Sequence, residues 1–394
     1  MSNIPVFNRR AMRIVILVAL GIVLMGLFLS KQRQTSIQTK VDMLVLPAAA
    51  SEGFKRVTGP LIFVFPQDHG PHLDYQTEWW YYTGNLQSQN GQYFGYQLTF
   101  FRRGIVPPAL ATQSGSVWRT EQVYFAHLAL SDVDRKLFYN QERFSRGAAG
   151  LAGADGDPVY SVWLEDWNVN QVDDNTYRLQ ASTEDFKIAL TLVDKKGPVL
   201  QGERGYSPKG PEPGNASAYI SQTRLASTGT IEFGNVSIQV EGWSWMDHEF
   251  STSALGSGQV GWDWFSIQLD DNSELMLFNL RREDGALDPY SAGTYIAADG
   301  TIRQLKSGDF EILPTSEWRS PHSGAIYPAG WQIRIKSLDL ILTVTPLLDD
   351  QELNLSFVYW EGAVKIAGQQ NGIRVDGYGF VELTGYAQSM QGQF

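Results

Sequence analysis

The chain has 394 residues, of which 43% are hydrophobic and 19% charged, a globular composition with enough length for two domains. Its net charge of −11 at pH 7 argues against nucleic acid or an anionic membrane surface as the main partner. The chain contains no cysteine, which excludes a catalytic thiol, a zinc–thiolate site and disulfide bonds.

An apolar segment lies close to the N-terminus. Three arginines within residues 9–13 precede an uncharged run over residues 14–29, and no small-residue cleavage site follows it directly. This pattern predicts an uncleaved signal anchor or transmembrane helix over residues 1–30, with the chain anchored in the inner membrane and its main body periplasmic. A cleaved signal peptide and a buried core helix are the alternatives. Residues 31–58 are predicted to form a linker.

From residue 59 onward the pattern is that of β-strands separated by turns. Apolar and polar residues alternate over short runs, and turn signals such as Asn90-Gly91 lie between them. Only short helical pieces are predicted, at residues 140–149. The clearest predicted strands are 93–102, 123–130, 188–193, 231–240, 274–280, 341–345 and 353–359.

Two pairs of similar segments occur in the same order along the chain. WWYYTGNL at residues 79–86 resembles WDWFSIQL at residues 262–269. VEGWSWMD at residues 240–247 resembles VDGYGFVE at residues 375–382. Shared opening and closing strands indicate the duplication of an all-β domain, with chance similarity between aromatic strands as the alternative.

The duplication predicts two all-β domains after the linker, over residues 59–250 and 251–394. Side chains alternate along a strand, so Trp79 and Tyr81 share one face of the first copy, and Trp262 and Trp264 share the matching face of the second. These rings fit the packed core of a small barrel or the wall of a cavity for an apolar ligand, and both interpretations stay open.

The segment WSWMDHEF combines aromatic rings with acids on one strand. Trp243, Trp245 and Asp247 fall on one face, and His248 falls on the other. Desolvation beside aromatic rings raises the pKa of a carboxyl group, which suits it to act as a general acid, and the ring faces can stabilise a cation. The second copy places Glu382 at the corresponding position, where hydrogen bonding to turn amides is an equal alternative.

A loop with histidines and acids precedes the first aromatic strand. Its candidate ligands, together with Asp247 and His248, could form a metal site of oxygen and nitrogen ligands: Asp68, His69, His72, Asp74 and Glu78. A metal-dependent hydrolase would use His69, His72 and His248. Hydrogen bonding at the entry of a strand is the alternative that we favour, and no metal or other cofactor is expected. A separate Gly/Pro loop at residues 202–217, which contains Lys209, has the composition of a lid or binding loop.

Several long motifs resemble the AttH/CrtC-like family, often described as predicted secreted hydrolases or carotenoid 1,2-hydratases. FPQDHGPHLDYQTEWWYYTGNL, WSWMDHEFSTSALG and VGWDWFSIQLDD carry this resemblance, which extends over residues 55–387. The resemblance implies an all-β fold of two tandem lipocalin-like antiparallel β-barrels. It also implies cofactor-free addition of water to a terminal isoprenoid double bond.

The same resemblance implies an acid and cation-stabilising residues at the interface of the barrels. The predicted catalytic residues are therefore Asp247, His248 and Asp263. Aromatic side chains are predicted to bind the substrate: Trp79, Tyr81, Trp243, Trp245, Trp262 and Trp264.

Two other functions are consistent with the resemblance. The protein could be a non-catalytic envelope lipid-binding protein that works with an ABC-type exporter, or a secreted hydrolase. The expected partners are an apolar or lipid-like ligand and the membrane that holds the N-terminal anchor.

Overall fold

A computed structural model describes residues 51–111, 116–253 and 255–392 of the chain. The predicted anchor at residues 1–30 lies outside the described residues. Within the described ranges, no helix combines the length and the apolar character that crossing a membrane requires. The helices there are single 3₁₀ turns at Gln67–His69, Pro108–Leu110 and Lys336–Leu338.

The first sheet, called sheet A, contains thirteen antiparallel strands and is nearly closed into a barrel. Its strands are β1 Thr77–Ser88, β2 Tyr93–Gly104, β3 Gln122–Asp132, β4 Leu137–Arg146, β5 Ala152–Asp155, β6 Ser161–Leu164, β7 Trp167–Asp173, β8 Thr176–Ser182, β9 Lys187–Asp194, β10 Pro198–Leu200, β11 Tyr206–Pro208, β12 Ala216–Phe233 and β13 Val236–Ser251.

The second sheet, called sheet B, contains ten antiparallel strands. Its strands are β14 Gln259–Leu269, β15 Glu274–Arg282, β16 Ala292–Ile296, β17 Ile302–Lys306, β18 Glu311–Pro314, β21 Trp331–Ile335, β22 Leu340–Pro346, β23 Glu352–Asn354, β24 Val358–Gln370 and β25 Ile373–Leu383. A separate hairpin pairs β19 Glu317–Arg319 with β20 Ile326–Pro328. The all-β fold expected from the sequence is confirmed.

The two sheets repeat one topology. In sheet A the first strand, β1, lies between the second strand and the last one, β13; in sheet B, β14 lies in the same way between β15 and β25. The register repeats as well, because Tyr81 pairs with Asp247 and Trp264 pairs with Glu382. Asp247 and Glu382 therefore occupy the same position in the two sheets.

Alternation along β1 separates two environments. Trp80 and Tyr82 are fully buried in the core inside sheet A, while Trp79 and Tyr81 point the other way. On β14, Phe265 lies in the core of sheet B and Trp264 points outward from that core. The outward rings of both sheets pack against each other, so the aromatic face predicted from the sequence lies between the sheets.

Three of the predicted elements are wrong. Predicted strand 231–240 is a hairpin, because Gly234 adopts a φ of +56° in the turn between β12 and β13. Predicted strand 353–359 also divides, between β23 and β24. Residues 140–149 form no helix: most of them belong to β4, because pairing with β3 overrides their local preference.

Candidate active site between the two sheets

A pocket of about 90 Å³ lies where the outward faces of the two sheets meet, and it is partly open to solvent. Its walls are mostly aromatic and apolar, with carboxyl groups from both sheets. The lining residues are Trp79, Tyr81, Thr99, Phe101, Lys209, Tyr219, Asp247, Glu249, Ser251, Ser253, Trp262, Trp264, Phe278, Leu280, Phe357, Glu382, Thr384 and Met390. Such a concave, apolar site with a few polar groups has the general character of a small-molecule pocket.

Asp247 is the acid that sheet A contributes to the pocket. Its Oδ1 accepts hydrogen bonds from Ser221 Oγ at 2.5 Å and Trp245 Nε1 at 2.7 Å. Its Oδ2 accepts a hydrogen bond from the Tyr219 hydroxyl at 2.5 Å. Burial raises the pKa of Asp247 to about 7, although these three donors favour the charged form.

Glu382 is the acid that sheet B contributes. Its Oε2 accepts a hydrogen bond from Trp262 Nε1 at 2.8 Å, and within the described ranges its other oxygen makes no hydrogen bond. Burial raises the pKa of Glu382 to about 7, with a smaller contribution from the charge of Asp247. Glu382 is thus an acid that holds a proton near neutral pH and keeps one oxygen available to a ligand.

A further acid lies behind the pocket wall. Glu361 on β24 pairs with Glu382 across the sheet and is fully buried. Burial raises the pKa of Glu361 well above its ordinary value, and the neighbouring Glu382 raises it further. Burial and Glu382 thus both favour the neutral form of Glu361.

Aromatic rings from both sheets surround the acids. The Trp264 ring lies edge-on to Tyr81 at a centroid distance of 5.0 Å, and it packs against Trp245 at 6.3 Å. Trp264 Nε1 donates a hydrogen bond to the Tyr219 hydroxyl at 2.9 Å, and that hydroxyl in turn donates to Asp247. Each sheet thus orients groups of the other through hydrogen bonds.

The long loop between β10 and β12 supplies a cation. Lys209 is buried, and its ammonium lies 4.1 Å from the centre of the Phe278 ring and 5.3 Å from that of Tyr219. Its Nζ lies 3.2 Å from Glu249 Oε1. The pocket walls therefore already hold one positive charge against aromatic faces.

Most of the predicted substrate-binding residues meet at this pocket: Trp79, Tyr81, Trp262 and Trp264 line it. Trp245 lies directly behind, bonded to Asp247. Trp243 does not take part, because its side chain is 39% exposed and its ring lies 5.2 Å from the Arg224 guanidinium.

Of the three predicted catalytic residues, only Asp247 lines the pocket. Asp263 points to the opposite face of β14, where its Oδ1 accepts hydrogen bonds from Arg281 Nε and the Tyr386 hydroxyl, each at 3.0 Å. His248 points to the opposite face of β13, where its Nε2 lies 2.8 Å from Glu78 Oε1. Successive side chains of a strand point to opposite faces of the sheet, so the residues next to a site residue in sequence point away from the site.

The cluster around Glu78 is a hydrogen-bonded clamp. His72, Glu78 and His248 are close enough to hold a metal ion. However, the buried Arg102 guanidinium donates to Glu78 Oε2 at 2.8 Å, and its charge disfavours a second cation there. Arg102 and the two histidines keep the pKa of Glu78 well below its usual range, against the effect of burial. Hydrogen bonds from His72 to Glu78 and Asp68 raise the pKa of His72 to about 9, outweighing burial.

Glu382, Lys209 and Tyr219 were not predicted as site residues. The repeat had aligned Glu382 with Asp247, but hydrogen bonding to turn amides was an equal alternative for it. Lys209 belongs to the loop predicted from its composition, but that composition does not indicate which of its side chains turns inward. Tyr219 reaches Asp247 from the neighbouring strand, a pairing that no local pattern marks.

The fold and the pocket define a class of protein: two similar antiparallel sheets with a shared, acid-bearing aromatic pocket. The chain belongs to the AttH-like family, whose model matches residues 56–386. It is similar to the crystal structure of an AttH protein from Nitrosomonas europaea, with 34% identity, a TM-score of 0.74 and coverage of 83% of this chain and 99% of that one.

More distant structures share the fold. Kievitone hydratase from Nectria haematococca is 13% identical, with a TM-score of 0.64 and coverage of 85% of this chain and 96% of that one. CghA is 12% identical, with a TM-score of 0.50 and coverage of 83% and 94%. A comparison with curated proteins gives no match.

Proposed function

We propose that the pocket between the sheets binds an apolar, isoprenoid- or lipid-like molecule and hydrates an alkene in it without a cofactor. The observation that carries this proposal is the pair of matched acids, Asp247 and Glu382, inside one aromatic pocket. Protonation of an alkene requires an acid that still holds its proton near neutral pH, and it requires surroundings that stabilise the cation.

Glu382 is the proposed proton donor, because it lines the pocket and one of its oxygens makes no hydrogen bond in the described part of the chain. The proton moves from Glu382 to one alkene carbon, the π bond breaks, and the other carbon becomes a carbocation. The oxygen of a water molecule then forms a bond to that carbon. A proton of this water returns to the Glu382 carboxylate, which restores the starting state.

Asp247 and the rings would stabilise the cation. Three donors orient the Asp247 carboxyl group, so it needs no reorganisation when positive charge develops nearby. The faces of Trp264 and Trp262 supply negative quadrupole potential.

The test is product formation by the full-length protein with acyclic isoprenoids that carry a terminal trisubstituted double bond. We expect a tertiary alcohol that incorporates oxygen from labelled water. Glu382→Gln and Asp247→Asn should abolish the product, while Asp263→Asn, which changes a buried acid outside the pocket, should keep it. Unchanged turnover in both pocket variants would exclude the mechanism.

A non-catalytic binding function is the second candidate. It is favoured by the hydrogen bonds that both Asp247 oxygens accept from protein donors. Such hydrogen bonds also occur where a buried acid only stabilises the fold. In that case Trp264→Ala would weaken binding of an apolar ligand, and no product would form with any isoprenoid. The proposed cellular setting, a periplasmic body on an inner-membrane anchor beside an ABC-type exporter, rests on residues 1–30 and on the family resemblance.

A further inference from the structure

A buried ion pair in the pocket wall has no part in the proposed hydration. Lys209 Nζ lies 3.2 Å from Glu249 Oε1, and their side chains are only 10% and 8% exposed. Lys209 also donates to Ser207 Oγ at 3.1 Å, and Ser217 donates to Glu249. Both of these contacts of Glu249 involve its Oε1, and within the described ranges its Oε2 and the Lys209 ammonium make no further hydrogen bond.

The ion pair lies at a defined distance from the acids. Glu249 follows Asp247 by two residues on β13, so both side chains leave the same face of the strand. Two residues of an antiparallel strand span about 7 Å. The same pocket therefore presents Asp247 at one level and the Lys209–Glu249 ion pair one strand repeat away.

The charges restrict the group that fits beside the pair. A carboxylate or phosphate would meet the charge of Glu249, and an ammonium would meet the charge of Lys209. A hydroxyl group is neutral, and it can accept from Lys209 while it donates to Glu249. A pure hydrocarbon would displace water from both charges without replacing the hydrogen bonds of that water. Sites with such unpaired polar groups bind an analogue that lacks the polar group much more weakly.

We propose that Lys209 and Glu249 determine specificity by binding a hydroxyl group, so that the ligand is an apolar molecule with a hydroxyl head group rather than a hydrocarbon. This inference deepens the proposed function and rests on it for the location of the ligand. It assigns a role to the loop at residues 202–217, because Lys209 brings that loop into the pocket. The loop is held there by a hydrogen bond from Gln259 Nε2 to the Lys209 carbonyl at 2.7 Å.

The test compares three ligands with one carbon skeleton on the full-length protein: geraniol, its methyl ether and the corresponding hydrocarbon. Binding is measured by titration of tryptophan fluorescence. The wild type should bind geraniol about tenfold or more tightly than the hydrocarbon, with the ether between them because it accepts but cannot donate. Lys209→Met should remove this preference without weakening binding of the hydrocarbon.

Two further variants keep the test interpretable. Lys209→Met combined with Glu249→Gln avoids an unpaired buried carboxylate and should give the same loss of preference. Lys196→Met removes a partly buried lysine outside the pocket, which pairs with Glu274 at 2.7 Å, and should keep the preference. Equal affinities in the wild type, a preference that survives in the double variant, or no binding of geraniol would each overturn the inference.

Failure of this inference is distinct from failure of the hydration mechanism. Product formation without a preference for the hydroxyl group overturns only the role of Lys209 and Glu249. A preference without any product overturns only the hydration.

Discussion

Strands β1 and β13 carry buried acids on both of their faces, and the two faces use them differently. Glu78 on one face is surrounded by Arg102, His72 and His248, and its pKa is held well below the ordinary value. Asp247 on the other face receives only neutral donors, and burial raises its pKa to about 7. Both carboxyl groups are buried, so burial alone does not decide the charge of an acid; its partners do.

The two acids are expected to differ in role: Glu78 stabilises the fold, and Asp247 takes part in the chemistry of the pocket. A buried carboxylate with a guanidinium partner stabilises the fold near neutral pH, and removal of one partner leaves an unpaired charge. A buried carboxyl group without a cation destabilises the fold wherever it must ionise, and it is retained where its proton is useful. We therefore expect that a neutralising substitution lowers the free energy of unfolding at Glu78 and that one in the pocket mainly lowers the activity.

The largest expected effect is on stability, at the clamp. Glu78→Gln leaves the Arg102 guanidinium buried without a counter-charge, and we expect a loss of about 3–5 kcal/mol in the free energy of unfolding. Denaturant unfolding at neutral pH measures it. In the wild type the contribution of Glu78 should be present above its unfolded pKa and should fade as the pH falls below that value. An unchanged unfolding midpoint in Glu78→Gln would show that the clamp is not structural.

The next effect is on activity, at the matched acid of the second sheet. Glu382→Gln removes the proton donor but keeps a group that can accept the Trp262 hydrogen bond. We expect the rate of hydration to fall about a hundredfold or more. Initial rates with a saturating isoprenoid measure it, with Asp263→Asn as the control. Activity that is lost in the control variant instead would move the chemistry to the other face of β14.

A smaller effect is expected where the two sheets exchange hydrogen bonds. Tyr219→Phe removes the hydroxyl that accepts from Trp264 and donates to Asp247. That hydrogen bond favours the charged form of Asp247, so its loss should raise the pKa of Asp247 further. We expect about a tenfold loss of rate, together with a shift of the pH–rate profile to higher pH. A loss of rate with an unshifted profile would indicate only a packing defect.

The smallest effect is a gain in stability with a characteristic pH dependence. The pKa of Glu382 is about 7 in the folded protein and close to 4.5 when unfolded, so the folded state binds more protons between these values. The wild type should lose this stability as the pH rises from 4.5 through 7. Glu382→Gln should therefore be more stable than the wild type by about 1 kcal/mol or more at pH 8 and about equal at pH 4. Thermal unfolding at both pH values checks the sign, and a loss of stability at pH 8 would contradict it.

Much of the fold was predictable because strands have a simple periodicity. The alternation in WWYYTGNL assigned Trp79 and Tyr81 to one face, and the structure places both rings in the pocket. The internal repeat predicted matching strands, and the register of Asp247 and Glu382 follows it. The failure at residues 231–240 passed over the turn signal Gly234-Asn235, and the failure at residues 353–359 arose where two strands follow each other closely along the chain.

The site was only partly predictable, because sequence motifs group residues that are neighbours along the chain. Asp247, His248 and Asp263 belong to conspicuous motifs, but adjacent residues of a strand leave from opposite faces, and only Asp247 reaches the pocket. Lys209 and Tyr219 reach the same pocket from a loop and from the next strand, without a local signal.

The sequence by itself determined the all-β fold, the duplicated strands and the direction in which each aromatic side chain leaves its strand, because these depend on local periodicity and on repetition. The tertiary structure alone decided that the outward faces of the two sheets meet, which acid has a guanidinium partner and which has none, and that Glu382 keeps an oxygen for a ligand. Those features depend on groups far apart along the chain, and the charge of a buried acid follows from those groups rather than from its neighbours in sequence.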